Sequence, residues 1–269
     1  MKLPLIFLTV NAVLATTSLQ AAVVGYWRFE DGAFMDDSSG NNRHLTTNAA
    51  PNDAEQIALP ASGNGSEYPT TIPATSATNG SAAAFDGDDR MAVTYNAAFK
   101  STTMTLEAFV TTTVTSGTQT VAGMWNATSN RVYLMALSTN VLTYFINGGN
   151  VSSGLPALAA NTDYYVGISV DLSDATTNAL TFYQKNLATG QVWISNVASP
   201  TTTLTSGTSS FSIGRTSANS SSFTGLIDEV RFSNTKLGAE DLLVVIPEPS
   251  TALLAGAAVL LGFRRKRGV

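Results

Sequence analysis

The stretch DYYVGISVDL, residues 163–172, decides the fold of this chain. From Tyr164 to Leu172 every second side chain is large and apolar, and the side chains between them include a glycine, a serine and an aspartate. Successive side chains of a β-strand point to opposite faces of the sheet, so this alternation places the apolar residues on one face. The stretch therefore predicts a strand that is buried on one side.

Further segments on both sides of this strand alternate in the same way. They are MTLEAFV (104–110), RVYLMAL (131–137), VLTYFI (141–146), ALTFYQ (179–184) and FSIG (211–214). Dipeptides such as Asn147-Gly148 and Asp86-Gly87 supply turn signals. Many short strands with turns between them, and no helical periodicity between the two chain ends, predict an all-β sandwich or barrel.

The strand pattern runs through one long segment, and we expect a single domain over residues 23–245. Residues 51–82 are rich in Pro, Ser, Gly, Asn and Thr, which predicts an irregular insertion within that domain. We do not divide the chain there, because residues 23–50 are too few to bury a core of their own.

The composition excludes several classes of function. The chain has 14 Lys and Arg against 19 Asp and Glu, a net charge of −5, and five of the basic residues lie at the two ends. An acidic central segment argues against nucleic acid as a partner, because phosphate binding requires a basic surface. Cysteine is absent, so disulfides, thiolate metal sites and a cysteine nucleophile are excluded.

The first 22 residues have the pattern of a secretory signal peptide. Lys2 precedes a mainly apolar run from Leu3 to Ala15, and the small and polar stretch TTSLQAA follows at 16–22. A charged start, a short apolar region and small residues at the end are typical of such signals, and we expect cleavage near Ala21 or Ala22. The alternative is an N-terminal core helix, which Pro4 disfavours.

The last residues form a second segment that is distinct from the domain. A polar motif, an apolar stretch over 251–263 and a basic tail follow one another, the motif being Pro247, Glu248, Pro249 and Ser250 and the tail Arg264, Arg265, Lys266 and Arg267. The apolar stretch is shorter than the ~20 residues of a typical membrane helix, but neighbouring residues and basic side chains can extend its reach, so we expect a C-terminal transmembrane sorting helix that attaches the protein to the membrane. Basic residues favour the cytoplasmic side, which agrees with export of the domain.

This C-terminal segment, residues 246–269, resembles the PEP-CTERM sorting signal of bacteria that make extracellular polysaccharide. The resemblance implies an exosortase-type processing enzyme as a partner, cleavage near Pro247–Pro249, and delivery to the cell envelope or the extracellular space. The alternative is a membrane anchor that is never processed.

The domain resembles the LamG-like, concanavalin A-like jelly roll family over nearly all of 23–245. The resemblance depends on six landmarks in the family's order: GYWRFEDG (25–32), DSSGNNRHL (37–45), AAFDGDDRMAV (83–93), MTLEAFV (104–110), ANTDYYVGISVDL with ALTFYQKN (160–186), and SIGR with FTGLIDEVRFSN (212–234). It implies a two-sheet antiparallel sandwich that binds ligands without catalysis. Asn42-Arg43 departs from the usual glycine-containing turn, and the insertion at 51–82 is long.

Asp228 is the candidate metal ligand that the sequence marks most clearly. If Leu226, Val230 and Phe232 point inward, period two places Asp228 on the same face, where a carboxylate needs a partner. The partner is either an arginine, such as Arg28 or Arg231, or a hard cation.

Calcium is the candidate cation, because it prefers oxygen ligands such as those that the stretch DSSGNN at 37–42 offers. In the LamG-like family the matching loop can lie beside the strand of Asp228, which suggests one structural calcium site formed by Asp37, Asn42 and Asp228. The alternative is that Asp37 forms a turn while Asp228 pairs with arginine or accepts backbone hydrogen bonds.

Trp125 is the candidate ligand-binding residue. Flat aromatic rings stack on the apolar face of a sugar, and Trp125 stands beside Gly123 and the polar stretch NATSNR. The Glu-x-Asp-x-x-Glu pattern of the related glucanases is absent, and the acids at 86–89 are interpreted as solvated loop residues, so we expect no enzyme.

Three functions stay open at this point. The first is an exported binding module for polysaccharide or another envelope glycoconjugate, the second a structural or adhesive envelope protein, and the third a glycoside hydrolase. The resemblance favours binding, although a fold by itself does not assign a ligand.

Overall fold

Alternating segments form strands throughout the part of the chain that the structure, a computed structural model, describes: residues 23–47, 53–60, 66–126 and 130–246. In chain order they are β1 (Val23–Trp27), β2 (Thr46–Thr47), β3 (Glu55–Ala58), β4 (Ser81–Asp86), β5 (Met91–Val93), β6 (Thr103–Thr112), β7 (Thr118–Trp125), β8 (Arg131–Ser138), β9 (Val141–Ile146), β10 (Gly149–Ser152), β11 (Asp163–Asp171), β12 (Leu180–Asn186), β13 (Val192–Val197), β14 (Phe211–Ile213) and β15 (Thr224–Ser233). Short 3-10 helices cover Ala97–Phe99 and Ala239–Asp241.

The strands form two antiparallel sheets. The eight-stranded sheet has the order β13-β12-β11-β6-β15-β4-β3, and β1 also pairs with β15. The seven-stranded sheet has the order β10-β9-β8-β7-β14-β5-β2. The prediction of an all-β, two-sheet antiparallel sandwich is confirmed.

The main core lies between the sheets, and β11 shows how the sequence builds it. Tyr164, Val166, Ile168 and Val170 belong to the core cluster that both sheets share. Tyr165, on the opposite face of β11, belongs instead to a second apolar cluster. The eight-stranded sheet therefore buries apolar side chains on both faces.

A segment that we name the C-terminal strap, residues 235–246, covers part of the outer face of the eight-stranded sheet. Its Leu237, Leu242 and Leu243 are buried in the second cluster. The amide of Leu237 donates to Thr105 Oγ1 at 2.8 Å, and the amide of Leu243 donates to Glu107 Oε2 at 2.8 Å. Polar side chains of β6 thus hold the strap on the sheet.

Within the region 51–82, the described residues 53–60 and 66–82 include regular and buried structure that their composition does not indicate. β3 lies within it and pairs with β4, and Tyr68 and Ile72 are buried in the same outer cluster as the strap. Isolated apolar residues in a polar stretch give no periodic signal, because only the tertiary fold supplies the surface that they cover.

A bulge in β15 changes the face that Asp228 occupies. Ile227, Val230 and Phe232 lie in the inner core, whereas Asp228 pairs with Phe109 of the outer cluster. The register shifts between Asp228 and Arg231. The expectation that Leu226, Val230 and Phe232 place Asp228 on the inward face was wrong, because an extra residue interrupts period two.

Candidate functional site

Trp125, the sequence-predicted ligand residue, stands at the end of β7 on the outer face of the seven-stranded sheet. Phe211 and Ile213 point into the core, so Ser212 between them and Gly123 opposite it face outward. The same cross-strand row continues through Leu134 to Phe145. The Trp125 ring packs edge-to-face on Phe145 at 5.7 Å between ring centroids, which places the indole on this outer face.

Two further contacts fix the orientation of the indole. The guanidinium carbon of Arg131 lies 5.4 Å from the Trp125 ring centroid, within the range of a cation–π interaction. The Ser217 amide donates to the Trp125 carbonyl at 2.9 Å. Trp125 is half-buried, so part of the ring stays accessible. We name Trp125, Arg131, Phe145, Ser212 and Ser217 the Trp125 cluster.

Small residues and polar groups border the ring. A side chain at Gly123 would lie 2.6 Å from the Tyr133 carbonyl oxygen, so only glycine fits this position beside Trp125. The hydroxyls of Ser212 and Ser217 lie 3.0 Å apart, and Arg90 Nη1 donates to the Ser217 carbonyl at 3.2 Å. The part of the indole that stays accessible can stack on a sugar, and the partly exposed Ser217 hydroxyl and Arg131 guanidinium beside it can bond to the sugar hydroxyls.

The Asp37 carboxylate accepts hydrogen bonds from backbone amides of its own turn and of β1. Its Oδ1 accepts hydrogen bonds from the amides of Tyr26 at 3.0 Å and Ser39 at 2.9 Å, and its Oδ2 accepts one from the amide of Arg43 at 2.9 Å. Burial by itself would raise the pKa of Asp37, but these hydrogen bonds outweigh it and hold the pKa below its usual value. The arrangement agrees with the turn interpretation.

Asp228 and Asn42 lie apart from that carboxylate. Asp228 Oδ2 accepts from Asn79 Nδ2 at 2.9 Å and Oδ1 from the Glu229 amide at 2.8 Å, while Asn42 is exposed with a φ of 55°. On one edge of β1, the Tyr26 amide donates to Asp37 Oδ1 and the Tyr26 carbonyl accepts from the Ser38 amide. On its other edge, β1 pairs with β15. β1 thus separates Asp37 from the strand of Asp228, and these residues do not surround one cation position.

The arginines considered as partners of Asp228 pair with other carboxylates. Arg28 Nη2 lies 2.8 Å from Glu229 Oε1, and Tyr26 Oη donates to the same carboxylate. Arg231 Nε donates to Glu107 Oε1 at 2.7 Å. Sequence reasoning missed both pairs, because they depend on strand pairing that one sequence does not show: Arg231 stands opposite Glu107 of β6 and opposite Tyr26 of β1.

An acidic pocket lies between β3 and the β4–β5 turn. Asp86, Asp88 and Asp89 place carboxylate oxygens within 4.8 Å of one another, and Asp53 and Glu55 help to line a cavity of about 190 Å³. Asp89 is only 4% exposed, so its interpretation as a solvated acid was wrong. Burial, together with the charges of Asp86 and Asp88, raises its pKa to about 6.

The predicted sorting residues lie outside the described part of the chain. Ile246, which directly precedes Pro247, is the last described residue and is 2% exposed. Among the described residues, no helix is long and apolar enough to cross a membrane.

Comparisons with solved structures give similar folds at low sequence identity. Domain 4 of AbnA, a GH43 extracellular arabinanase from Geobacillus stearothermophilus solved with arabinotriose, has a TM-score of 0.57 and 16% identity over 83% of this chain and 97% of that chain. The binding domain of botulinum neurotoxin DC, solved with rat synaptotagmin II, has a TM-score of 0.51 and 10% identity over 83% and 50%. Trypanosoma rangeli sialidase, solved with sialic acid, has a TM-score of 0.51 and 16% identity over 83% and 32%. This chain spans half or less of the neurotoxin and sialidase chains that it matches.

Sequence comparisons give the family. No curated protein sequence matches it. The family described as the concanavalin A-like lectin/glucanases superfamily matches residues 85–243. Since this match covers more than half of the chain and agrees with the two-sheet fold, the protein belongs to the concanavalin A-like lectin/glucanase superfamily.

Proposed function

We propose that this protein is an exported, non-catalytic glycan-binding module whose ligand lies against the Trp125 cluster. The observation that carries the proposal is the half-buried indole, fixed by Phe145 and Arg131 on the outer face of the seven-stranded sheet. A ring that is already held in place loses little conformational entropy when a sugar stacks on it. The partly exposed Ser217 hydroxyl and Arg131 guanidinium offer hydrogen-bond donors and an acceptor to the hydroxyls of the sugar.

The groups at the site support non-catalytic binding. Glycoside hydrolysis requires two carboxyl groups that flank the scissile bond. The groups that hold Trp125 in place, Phe145, Arg131 and Ser217, carry none. The buried Glu107 and Glu229 are each engaged by an arginine. A glycan-binding role fits this set of side chains better than hydrolysis.

Export and sorting complete the proposal. The signal-peptide pattern of residues 1–22 and the PEP-CTERM resemblance support export, processing by an exosortase and delivery to the cell envelope or outside it. An extracellular polysaccharide of the same cell is the ligand class that this destination favours. Calcium at Asp37, Asn42 and Asp228 stays a prediction that a melting curve with and without chelator tests, and the positions of these residues do not favour it.

A glycan array tests the proposal directly. We expect the purified protein to bind a set of glycans and Trp125→Ala to weaken its binding of the glycans that the Trp125 cluster recognises, while its melting temperature stays close to that of the unchanged protein. If the unchanged protein binds no glycan, the alternative function, a structural or adhesive envelope protein, replaces this one.

A further inference from the structure

A second candidate surface lies on the outer face of the eight-stranded sheet, beside the part that the C-terminal strap covers. In the eight-stranded sheet, Thr181 pairs with Asn196 and Tyr183 pairs with Ile194, so these four side chains share the outer face of β12 and β13. Together with three further residues they line a cavity of about 510 Å³. The three are Asn178, which lies in the β11–β12 connection, and Lys236 and Ala239, which belong to the strap.

The strap makes this surface a groove rather than an open sheet face. Ser169 Oγ on the neighbouring β11 donates to the Leu237 carbonyl at 2.9 Å, which fixes the strap along β11. Lys236 Nζ donates to the Asn178 carbonyl and so joins the strap to the β11–β12 connection. The strap forms one wall, and β13, the edge strand of the sheet, lies at the opposite border of the groove.

The lining combines an apolar floor with polar groups around it. Tyr183 and Ile194 form the floor, and Ile194 is 40% exposed although it is a large aliphatic residue. The side-chain amides of Asn178 and Asn196 each offer two donors and an acceptor, and Thr181 adds a hydroxyl. Apolar walls with a few convergent polar groups, in a volume of several hundred Å³, are typical of a small-molecule site.

The charge of the groove selects among ligand classes. None of the seven lining residues carries a carboxyl group. The ammonium of Lys236 interacts with the carboxylates of Asp171 and Asp174, which offset its charge. A polyhydroxylated neutral ligand with one apolar face matches amides and a hydroxyl around an apolar floor better than an ion does.

We propose that this groove is a second saccharide site, for a neutral oligosaccharide, independent of the Trp125 cluster. The two sites lie on the outer faces of opposite sheets, so one short glycan segment cannot occupy both. One chain would then bridge two polysaccharide strands, and bivalence strengthens attachment without any new contact.

The experiment combines variants of the two sites on one panel of neutral glycans that includes arabinotriose. The groove variant is Asn178→Ala with Asn196→Ala, both at exposed positions, and Ile194→Thr is a second variant that keeps a β-branched side chain. Val192→Thr is the matched control, because Val192 is an exposed aliphatic residue on the same face of β13 but does not line the groove. Melting curves check that each variant is folded.

In the Trp125→Ala background we expect neutral glycan binding to remain, and the groove variant to weaken it about 10-fold to 30-fold, as the loss of two hydrogen bonds implies. Val192→Thr should leave it unchanged. Loss of all binding in Trp125→Ala, or equal binding with and without the groove changes, would overturn the groove site and leave the Trp125 proposal standing. If instead the groove variant abolishes binding and Trp125→Ala has no effect, the groove is the site and the Trp125 proposal fails.

Discussion

Arg231 Nε lies 2.7 Å from Glu107 Oε1, and both side chains are buried beneath the C-terminal strap. Glu107 Oε2 also accepts hydrogen bonds from Tyr165 Oη and from the Leu243 amide, each at 2.8 Å, and Arg231 Nη2 donates to the Asp241 carbonyl at 2.7 Å. One buried ion pair therefore joins β6, β11 and β15 to the strap that forms one wall of the proposed groove.

Removal of one partner of this pair should destabilise the fold strongly. We expect Glu107→Ala to lower the free energy of unfolding by about 3–5 kcal/mol, because Arg231 is then left buried without a counter-charge. Urea denaturation measures the change, and Glu240→Ala, at an exposed position of the strap, is the control. Equal stability of the two variants would show that the pair does not hold the strap.

Asp37 should be important for the turn that follows β1. Asp37→Ala removes the acceptor of three backbone amides, and we expect a loss of about 2–4 kcal/mol in the free energy of unfolding. Asp36→Ala is the matched control, since that neighbouring carboxylate is largely exposed. Because the pKa of Asp37 is lowered in the folded state, its contribution is present above the unfolded pKa and is lost as the pH falls through the folded one. A loss no larger than that of Asp36→Ala would contradict the assignment.

Asp89 should make stability depend on pH in the opposite direction. Its pKa rises from an ordinary value of 3.8 to about 6 in the fold, so the protonated form is favoured in the native state. The contribution of this residue is full below about pH 4 and is lost as the pH rises through about 6. Asp89→Asn stays uncharged and can still accept the hydrogen bond that the Asp86 amide donates to Asp89 Oδ2.

Melting temperatures measured from about pH 4 to about pH 7 check this prediction. We expect Asp89→Asn to gain stability over the unchanged protein as the pH rises, with a difference that shrinks toward the acidic end. A difference that is constant over the range would mean that Asp89 is ionised throughout.

Processing of the C-terminus should leave the fold intact. Ile246 is buried against the domain and directly precedes Pro247, so cleavage near Glu248 keeps the whole strap in place. Intact-mass spectrometry of protein from its own host should show loss of the signal peptide and of the segment after the cleavage point, with the melting temperature of the released domain unchanged. A host without exosortase should retain the tail, and recovery of the full tail from the native envelope would show that the segment is only an anchor.

The sequence predicts those features that depend on local alternation. The inward face of β11 follows from the alternation between Tyr164 and Leu172, and the six landmarks indicate the family. Trp125 is on the surface that the sequence suggests, although its contacts with Arg131 and Phe145 depend on strand pairing that one sequence does not show.

Features that depend on tertiary packing are not predicted. The bulge at Asp228 and Glu229 lies where β15 exchanges β4 for β1 as its neighbour, and the positive φ of Glu229 has no signal at a residue that is neither glycine nor asparagine. Burial of Asp89 in a turn, and the groove between the strap and β13, likewise arise from segments that are distant in the chain.

The central claim is that the Trp125 cluster binds glycan, and one glycan array on three proteins tests it most directly: the unchanged protein, Trp125→Ala and Tyr95→Ala. Tyr95 is the matched control, because it is an exposed aromatic residue that follows β5 and lies outside the cluster. We expect Trp125→Ala to weaken binding of the glycans that the cluster recognises about 5-fold to 30-fold, since loss of one aromatic stacking contact is worth ~1–2 kcal/mol, and Tyr95→Ala to bind like the unchanged protein. Equal binding by all three proteins, or equal losses in both variants, would contradict the claim.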